Sequence, residues 1–209
     1  MNSFERKAYA LLLSLFVCGL ISAAVISSKI IMVFGLAVPA GVLAYSLTFV
    51  VSDVISEIWG KKVAGEAVTC GFVALVAVTL LTGLSVYWPG APFWQNQEAF
   101  ASVIGSTPRI VAASLLAYFV SQQHDIWLFH LLKDRTNGRA LWLRNNLSTM
   151  LSQLIDSTIF VTVAFYGVLP VGEIIFGQWL VKLAIAALDT PVVYALVATL
   201  RGKVRPAAV

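Results

Sequence analysis

The chain has 209 residues, 59% of them hydrophobic and only 11% charged, with a mean hydropathy of +0.88. Soluble domains carry about 25% charged residues, so the composition excludes an ordinary soluble enzyme or binding module and predicts an integral membrane protein. The net charge of +4 would suit nucleic acid only if the basic residues formed a patch, and they do not. Cys18 and Cys70 both lie in apolar runs, make neither a metal spacing nor a C-x-x-C, and are expected to be small buried hydrophobes.

The N-terminus, Met1-Asn2-Ser3-Phe4-Glu5-Arg6-Lys7, has the basic start of a signal peptide. The apolar run after it reaches about 20 residues, past the ~7–15 of such a signal, so a retained first span is expected over residues 8–27. Its Gly19-x-x-x-Ala23 and Cys18-x-x-x-Ser22 spacings suit close helix packing. The second span, 37–58, carries Tyr45, Ser46, Phe49, Ser52, Asp53, Ser56 and Glu57 along one stripe. Glu57 is also open to an interfacial role, paired with Lys61 at i+4. The third span, 63–87, is nearly all apolar and is expected on the outside. Trp88, Pro89, Gly90, Pro92 and Trp94 then break the helix and suit an aromatic belt at the membrane surface.

The fourth span, 108–131, opens on Pro108, which is favoured in a first turn. One face bears Tyr118, Ser121, Gln122, Asp125 and Phe129, with Gln123 and His124 beside it. His124 is a candidate proton carrier because imidazole titrates near neutrality. The fifth span, 146–169, follows Asn145-Asn146 and puts Ser148, Thr149, Ser152, Gln153 and Asp156 on one face at helical spacing. Gly167, Pro170 and Gly172 end it. The sixth, 174–200, aligns Gln178, Lys182, Ile185 and Asp189. Asp189-Thr190-Pro191 puts a proline inside the membrane, where a freed carbonyl can meet an ion or polar ligand. Lys182 either lines the interior or snorkels outward to another carboxylate.

Backbone groups in lipid must be satisfied internally, so these spans are helices. The expected fold is an all-α integral membrane protein of six transmembrane helices in a single domain, 1–209. Eleven of the fourteen basic residues precede span one, follow span six, or lie between spans two and three and between four and five. Six spans put all eleven on one side, so both termini are cytoplasmic. The basic character is topology, and nucleic acid is excluded as a partner. The halves enter from opposite sides and their middle spans are the most polar, which suggests a 3+3 inverted repeat.

Asp53, Asp125, Asp156 and Asp189 lie inside the membrane, with Glu57 at its edge, against a single Lys182. A lone charge at mid-membrane costs about 2.5–3.5 kcal/mol on the mildest scale. These residues therefore face a protein interior, where they are paired, protonated, hydrated or bound to a ligand. With Gln122 and Gln153 they offer carboxylates and amides, and aromatic rings share their faces. That combination can read a flat heterocycle by hydrogen bonds and stacking.

Ser52-Asp53-Val54-Ile55-Ser56-Glu57-Ile58-Trp59-Gly60 resembles the D-x-x-x-E-x-x-G signature of the bacterial queuosine precursor transporters, also called the vitamin uptake transporter family. Lys133 to Gly138, Trp142 to Thr149 and Ser152 to Ser157 resemble its second signature, and Gln122 to Phe129 and Ser28-Lys29 also fit. One departure is Ala24, where the family often has Asn. The resemblance covers essentially the whole chain. It implies a multi-pass protein of the bacterial inner membrane, without a cofactor, that imports 7-cyano-7-deazaguanine, its 7-aminomethyl relative or queuine. Asp53, Glu57, Gln122, Asp125, Asn146, Ser152, Gln153 and Asp156 are the substrate-binding candidates. Of these, Asp53 or Asp156 would accept from the guanine N1–H and 2-amino group, and Gln153 or Gln122 would hold the carbonyl. Phe49, Tyr118 or Trp127 would stack. Lys182, Asp189 and His124 are the candidates for ion or proton coupling. No metal site is expected.

The partners implied are this small molecule and membrane lipid, with a homodimer left open. Secondary transport driven by an ion is the leading expectation. The alternative is a substrate-binding membrane subunit energised by a separate ATPase, since the chain has no P-loop. An enzyme is not expected: the sequence has no H-E-x-x-H, no G-x-S-x-G and no paired-aspartate protease motif.

Overall fold

The computed structural model describes residues 3–26, 29–33, 36–105, 108–167 and 171–202. Ser28, Leu169, Pro170, Lys203 and Arg205, which the sequence argument uses, lie outside them. The described elements are α1 (Ser3–Ile26), β1 (Ile30–Val33), β2 (Leu36–Pro39), α2 (Gly41–Trp59), α3 (Lys61–Tyr87), α4 (Gln97–Ile104), α5 (Pro108–Arg135), α6 (Leu141–Phe165) and α7 (Val171–Arg201).

Five of these helices, α1, α2, α3, α6 and α7, are long and apolar enough to cross a membrane. The chain is accordingly a helical, multi-pass membrane protein. α5 has 28 residues and therefore the length. Gln122, Gln123, His124 and Asp125 in its middle keep it below the hydropathy of the other five.

Besides its seven described helices, the chain has one short element that the sequence did not foresee. β1 and β2 form a two-stranded antiparallel hairpin, pairing Ile30 with Pro39 and Val33 with Leu36. Ile30, Ile31 and Val33 are β-branched and favour extended backbone, and the Ala40 N–H closes the hairpin onto the Lys29 carbonyl at 2.8 Å. The second span consequently starts at Gly41 rather than at residue 37. The fifth starts earlier than expected, at Leu141, which brings Arg144 and Asn145 into the helix. Asn137, Gly138 and Ala140 all have positive φ and reverse the chain between α5 and α6. At Gly60, φ is +85°, so α2 and α3 are separate helices joined by one residue.

α2 is the central helix: 78% of its span is buried, against 22–44% for the other four spans. Its apolar face, with Val50, Val51, Val54 and Ile55, packs in a dry core with Phe16 and Leu20 of α1, Ala64, Ala67 and Val68 of α3, and Tyr118 of α5. Gly19 permits this closeness, because a Cβ there would sit 3.0 Å from the Ala44 carbonyl. The Gly19/Ala23 face is buried as expected. Cys18 and Cys70 are exposed on outward faces of α1 and α3, which corrects their expected burial. In lipid a thiol on an outward face costs little, so hydrophobicity alone did not fix the face. α3 turns Val73, Leu80, Leu81 and Leu84 outward.

Gly71 lies where α1, α3 and α5 meet. An added Cβ would come 2.5 Å from the Tyr118 hydroxyl and 2.6 Å from a ring carbon of Phe16, both buried. Overpacking of this kind costs about 1–3 kcal/mol. Gly71→Ala should therefore lower the melting temperature of the detergent-solubilised protein, whereas Gly65→Ala, with nothing within 4 Å of the new carbon, should leave it within error.

Candidate functional site

Every fourth residue of α2 from Tyr45 to Glu57 carries a site group: Tyr45, Phe49, Asp53, Glu57. At 1.5 Å rise per residue these lie about 6 Å apart along one face. α6 answers them in antiparallel order. The Tyr45 hydroxyl donates to Asp156 Oδ1 at 2.8 Å, Thr149 Oγ1 donates to Asp53 Oδ2 at 3.4 Å, and Arg144 Nη1 donates to Glu57 Oε2 at 2.7 Å. These polar rungs join the two helices across the interior.

At the first rung Asp156 is fully engaged. Lys182 of α7 pairs with its Oδ2, and Ser121 of α5 donates to Oδ1 at 3.3 Å. The Lys182 ammonium also lies 5.3 Å from the centre of the Tyr45 ring. Lys182 is 4% exposed, so of its two expected orientations the structure has the inward one, paired with a carboxylate.

At the last rung Glu57 receives three cations: Arg144, Lys133 at 3.2 Å and Arg201. The expected partner Lys61 is not among them, because Gly60 ends α2 before an i+4 pair can form on one helix. Arg144 is wholly buried. Its second amino group donates to the Gly138 carbonyl at 3.1 Å, and its guanidinium lies 5.1 Å from the centre of the Phe129 ring. Both Glu57 oxygens are thus taken, and the structure gives Glu57 to a clamp rather than to an open substrate site.

The middle rung is different. Asp53 lies against Asp125 of α5, which also neighbours Ser148 and Ser152. Ser148 donates to the Asn145 carbonyl at 3.3 Å, and Ser152 shares a hydrogen bond with His124 Nδ1 at 2.9 Å. Among the described residues, neither Asp125 oxygen, nor Asp53 Oδ1, nor the side-chain carbonyls of Gln122, Gln153 and Asn145 meets a donor. All five residues are at most 4% exposed. Gln122 uses its amino group on Thr48 Oγ1 at 3.1 Å. Buried polar atoms are ordinarily hydrogen-bonded, and two touching carboxylates repel unless a proton, a cation or a donor lies between them. The Asp53–Asp125 pair, with these further acceptors on the same helices, can therefore take up donors. A crevice lined by Phe49, Val50, Asp53, Asn145, Thr149, Ala186, Asp189 and Val193 reaches it. Its free space is about 10 Å³, on the order of one water, so the helices must part before a bicyclic base could enter.

The remaining expected residues fall outside this cluster or at its edge. Asp189 is half-buried and lines the crevice. Asn146 turns toward α7, accepting from Thr190 at 3.1 Å, while its neighbour Asn145 faces Asp53. His124 is half-buried beside Trp127. Trp127 itself is 49% exposed: two positions past Asp125, it projects from the opposite side of α5 and cannot stack inside. Tyr118 belongs to the dry core, its hydroxyl donating to the Val68 carbonyl at 3.0 Å. Phe49 is the one stacking candidate on the crevice. Ala24 is exposed on α1, away from the cluster. In the sequence Lys133, Arg144 and Arg201 count only as basic residues outside the spans, and Asn145 only as the neighbour of Asn146 ahead of the fifth span, so none of the four is expected at the site. Arg144 lies four and eight residues before Ser148 and Ser152, a spacing that already put it on the site face.

A larger groove of about 430 Å³ lies between the end of α3 and α4, lined by Leu81, Leu84, Trp88, Trp94 and Phe100 among others. Its lining contains no carboxylate.

Residues 39–196 match the family described as "Putative vitamin uptake transporter". The chain belongs to the vitamin uptake transporter family. Among its relatives is a Bacillus subtilis (strain 168) protein named "Probable queuosine precursor transporter", 34% identical over 80% of this chain and 75% of the relative. Another is the Escherichia coli (strain K12) "Queuosine precursor transporter", 25% identical over 60% of this chain and 54% of the relative. No solved structure matches the chain. The matched region contains all of α2, α3, α5 and α6 and most of α7, and with them all three rungs.

The Asp156–Lys182 pair permits a direct test of the first rung. Lys182→Met strands a buried carboxylate, which costs about 3–5 kcal/mol. The melting temperature in detergent should fall sharply for Lys182→Met and recover most of the loss in Lys182→Met/Asp156→Asn. A double variant as unstable as the single one would show that the pair is not the source of the effect.

Proposed function

We propose that this chain imports a 7-deazaguanine precursor of queuosine, 7-cyano-7-deazaguanine or its 7-aminomethyl relative, across the bacterial inner membrane. One observation carries the reading: five buried side chains, Asp53, Asp125, Gln122, Gln153 and Asn145, hold acceptor oxygens that no donor among the described residues meets. A guanine-like edge supplies adjoining donors, the ring N1–H and the exocyclic amine. A carboxylate takes that pair side by side, as it takes the fork of an arginine. Asp53 or Asp125 serves as this acceptor, and Phe49 offers a face for stacking. The names of the two relatives support the same substrate class.

In this reading α5 also crosses the membrane, as the fourth of six spans. It tolerates its polar centre because Ser121, Gln122 and Asp125 face the bundle interior. Six spans put both termini in the cytoplasm, in one domain. The antiparallel pairing of α2 with α6, the middle spans of each half, supports a 3+3 inverted repeat. The buried Asp156–Lys182 pair, one rung from the substrate cluster, is the element through which an ion or proton would couple to transport.

In cells unable to make the precursor, expression of this chain should restore uptake of the labelled base. A protonophore should abolish that uptake, and ATP depletion alone should not. A hydrogen bond to a charged group is worth about 1.5–3 kcal/mol. Asp53→Asn and Asp125→Asn should therefore each lower uptake roughly tenfold or more with unchanged amounts of protein in the membrane. Uptake at the parental level in both variants would refute the assignment.

A further inference from the structure

The Glu57 clamp draws four helices to one point. Glu57 comes from α2, Lys133 from α5, Arg144 from α6 and Arg201 from α7. The cluster grades from dry to wet: the side chains of Glu57 and Arg144 are 1% and 0% exposed, those of Lys133 and Arg201 29% and 57%. The acceptor cluster begins one helical turn inward. Asp53 is four residues from Glu57, Ser148 is four from Arg144, and Asn145, next to Arg144, lines the crevice beside Asp53. The clamp therefore lies across the way from that cluster to this end of the bundle.

Its composition also makes it separable. Three cations share one carboxylate, so each is held by less than a full countercharge. Lys133 and Arg201 already reach solvent and can rehydrate when the helices part. Arg144, the buried member, keeps the Gly138 carbonyl and the Phe129 ring, both near its own end of the α5–α6 turn. An opening between α2 and α6 thus leaves Arg144 two of its contacts, and water entering the opened path takes the place of the Glu57 carboxylate.

We infer that Glu57 and Arg144, with Lys133 and Arg201, form the inner gate of the transport path. The gate is closed in this conformation and parts to release substrate into the cytoplasm. The inference rests on the transport function and orientation proposed above, but its first test needs no substrate. Replacing Cys18 and Cys70, the chain's two cysteines, by serine removes all native thiols. Ser148→Cys then places a buried reporter one turn inside the clamp. Its reaction with a membrane-impermeant thiol reagent, applied to inside-out vesicles, should speed up roughly tenfold or more on Glu57→Gln, the population shift expected when charge-assisted hydrogen bonds are lost. Arg201→Gln, a change at an exposed side chain, should give a smaller rise. Right-side-out vesicles should show no change. A rise from that side instead would keep the gate and overturn the orientation.

Thermal unfolding in detergent identifies any variant that has lost its fold, and Arg201→Gln keeps the test decisive if Glu57→Gln does so. Separately, Glu57→Cys/Arg201→Cys in the thiol-free background, joined by a short reducible cross-linker, should lose uptake of the labelled base and regain it on reduction. Equal labelling rates in folded parent and variants, or uptake that continues with the cross-link closed, would overturn the gate.

Discussion

A carboxylate in an apolar interior must find a partner, and this constraint organises the whole bundle. Three carboxylate positions on the α2–α6 interface meet it in three ways. Asp156 is satisfied by a lysine and two hydroxyls from α2, α5 and α7. Glu57 is satisfied by three cations from α5, α6 and α7. Asp53, between them, has only a long bond from Thr149 and a second carboxylate as neighbour. The ends of the interface are closed by charge pairing and its middle is left short of donors. Under the proposed function, a donor-rich ligand would complete what the protein leaves unfinished there.

α2 can occupy the centre because its two faces answer different neighbours. Its valines and isoleucines join the dry core with α1, α3 and α5. Its tyrosine and carboxylates reach across to α6 and α7. The dry side relies on close approach at Gly19 and Gly71; the polar side relies on side chains bridging between helices. The same helix can therefore stay fixed to one half of the bundle while its contacts on the other side change, which is the mechanical requirement of a gated path.

The stripes on the polar helices were legible because a 3.6-residue repeat writes a face directly into the sequence. Asp53, Asp125, Gln122, Gln153 and Asp156 were found that way, and the structure brings all five into the interior. Trp127 and Tyr118 show the limit. Trp127 is close to the stripe in sequence but lies on the outer side of α5. Tyr118 lies on the stripe but one turn too far along, where α3 takes its hydroxyl. The β-hairpin went unread because β1 falls in the short break between the first two spans, and residues 37–39 of β2 are apolar enough to pass for the start of the second. Arg144 was hidden because a basic residue near a loop ordinarily marks topology, and only the extension of α6 back to Leu141 brings it inside.

By itself the sequence determined that the chain lives in a membrane, roughly where its long helices run, which faces are polar and which family it resembles. These depend on composition and on neighbours within a few turns. The tertiary structure alone decided the partners: Arg144 for Glu57, Tyr45 and Lys182 for Asp156, and Asp125 beside Asp53. The rungs join residues 87, 96 and 111 positions apart, and Arg201 reaches Glu57 across 144. No periodicity spans such separations. Which acid is locked in a clamp and which is left short of donors follows from how the helices are packed.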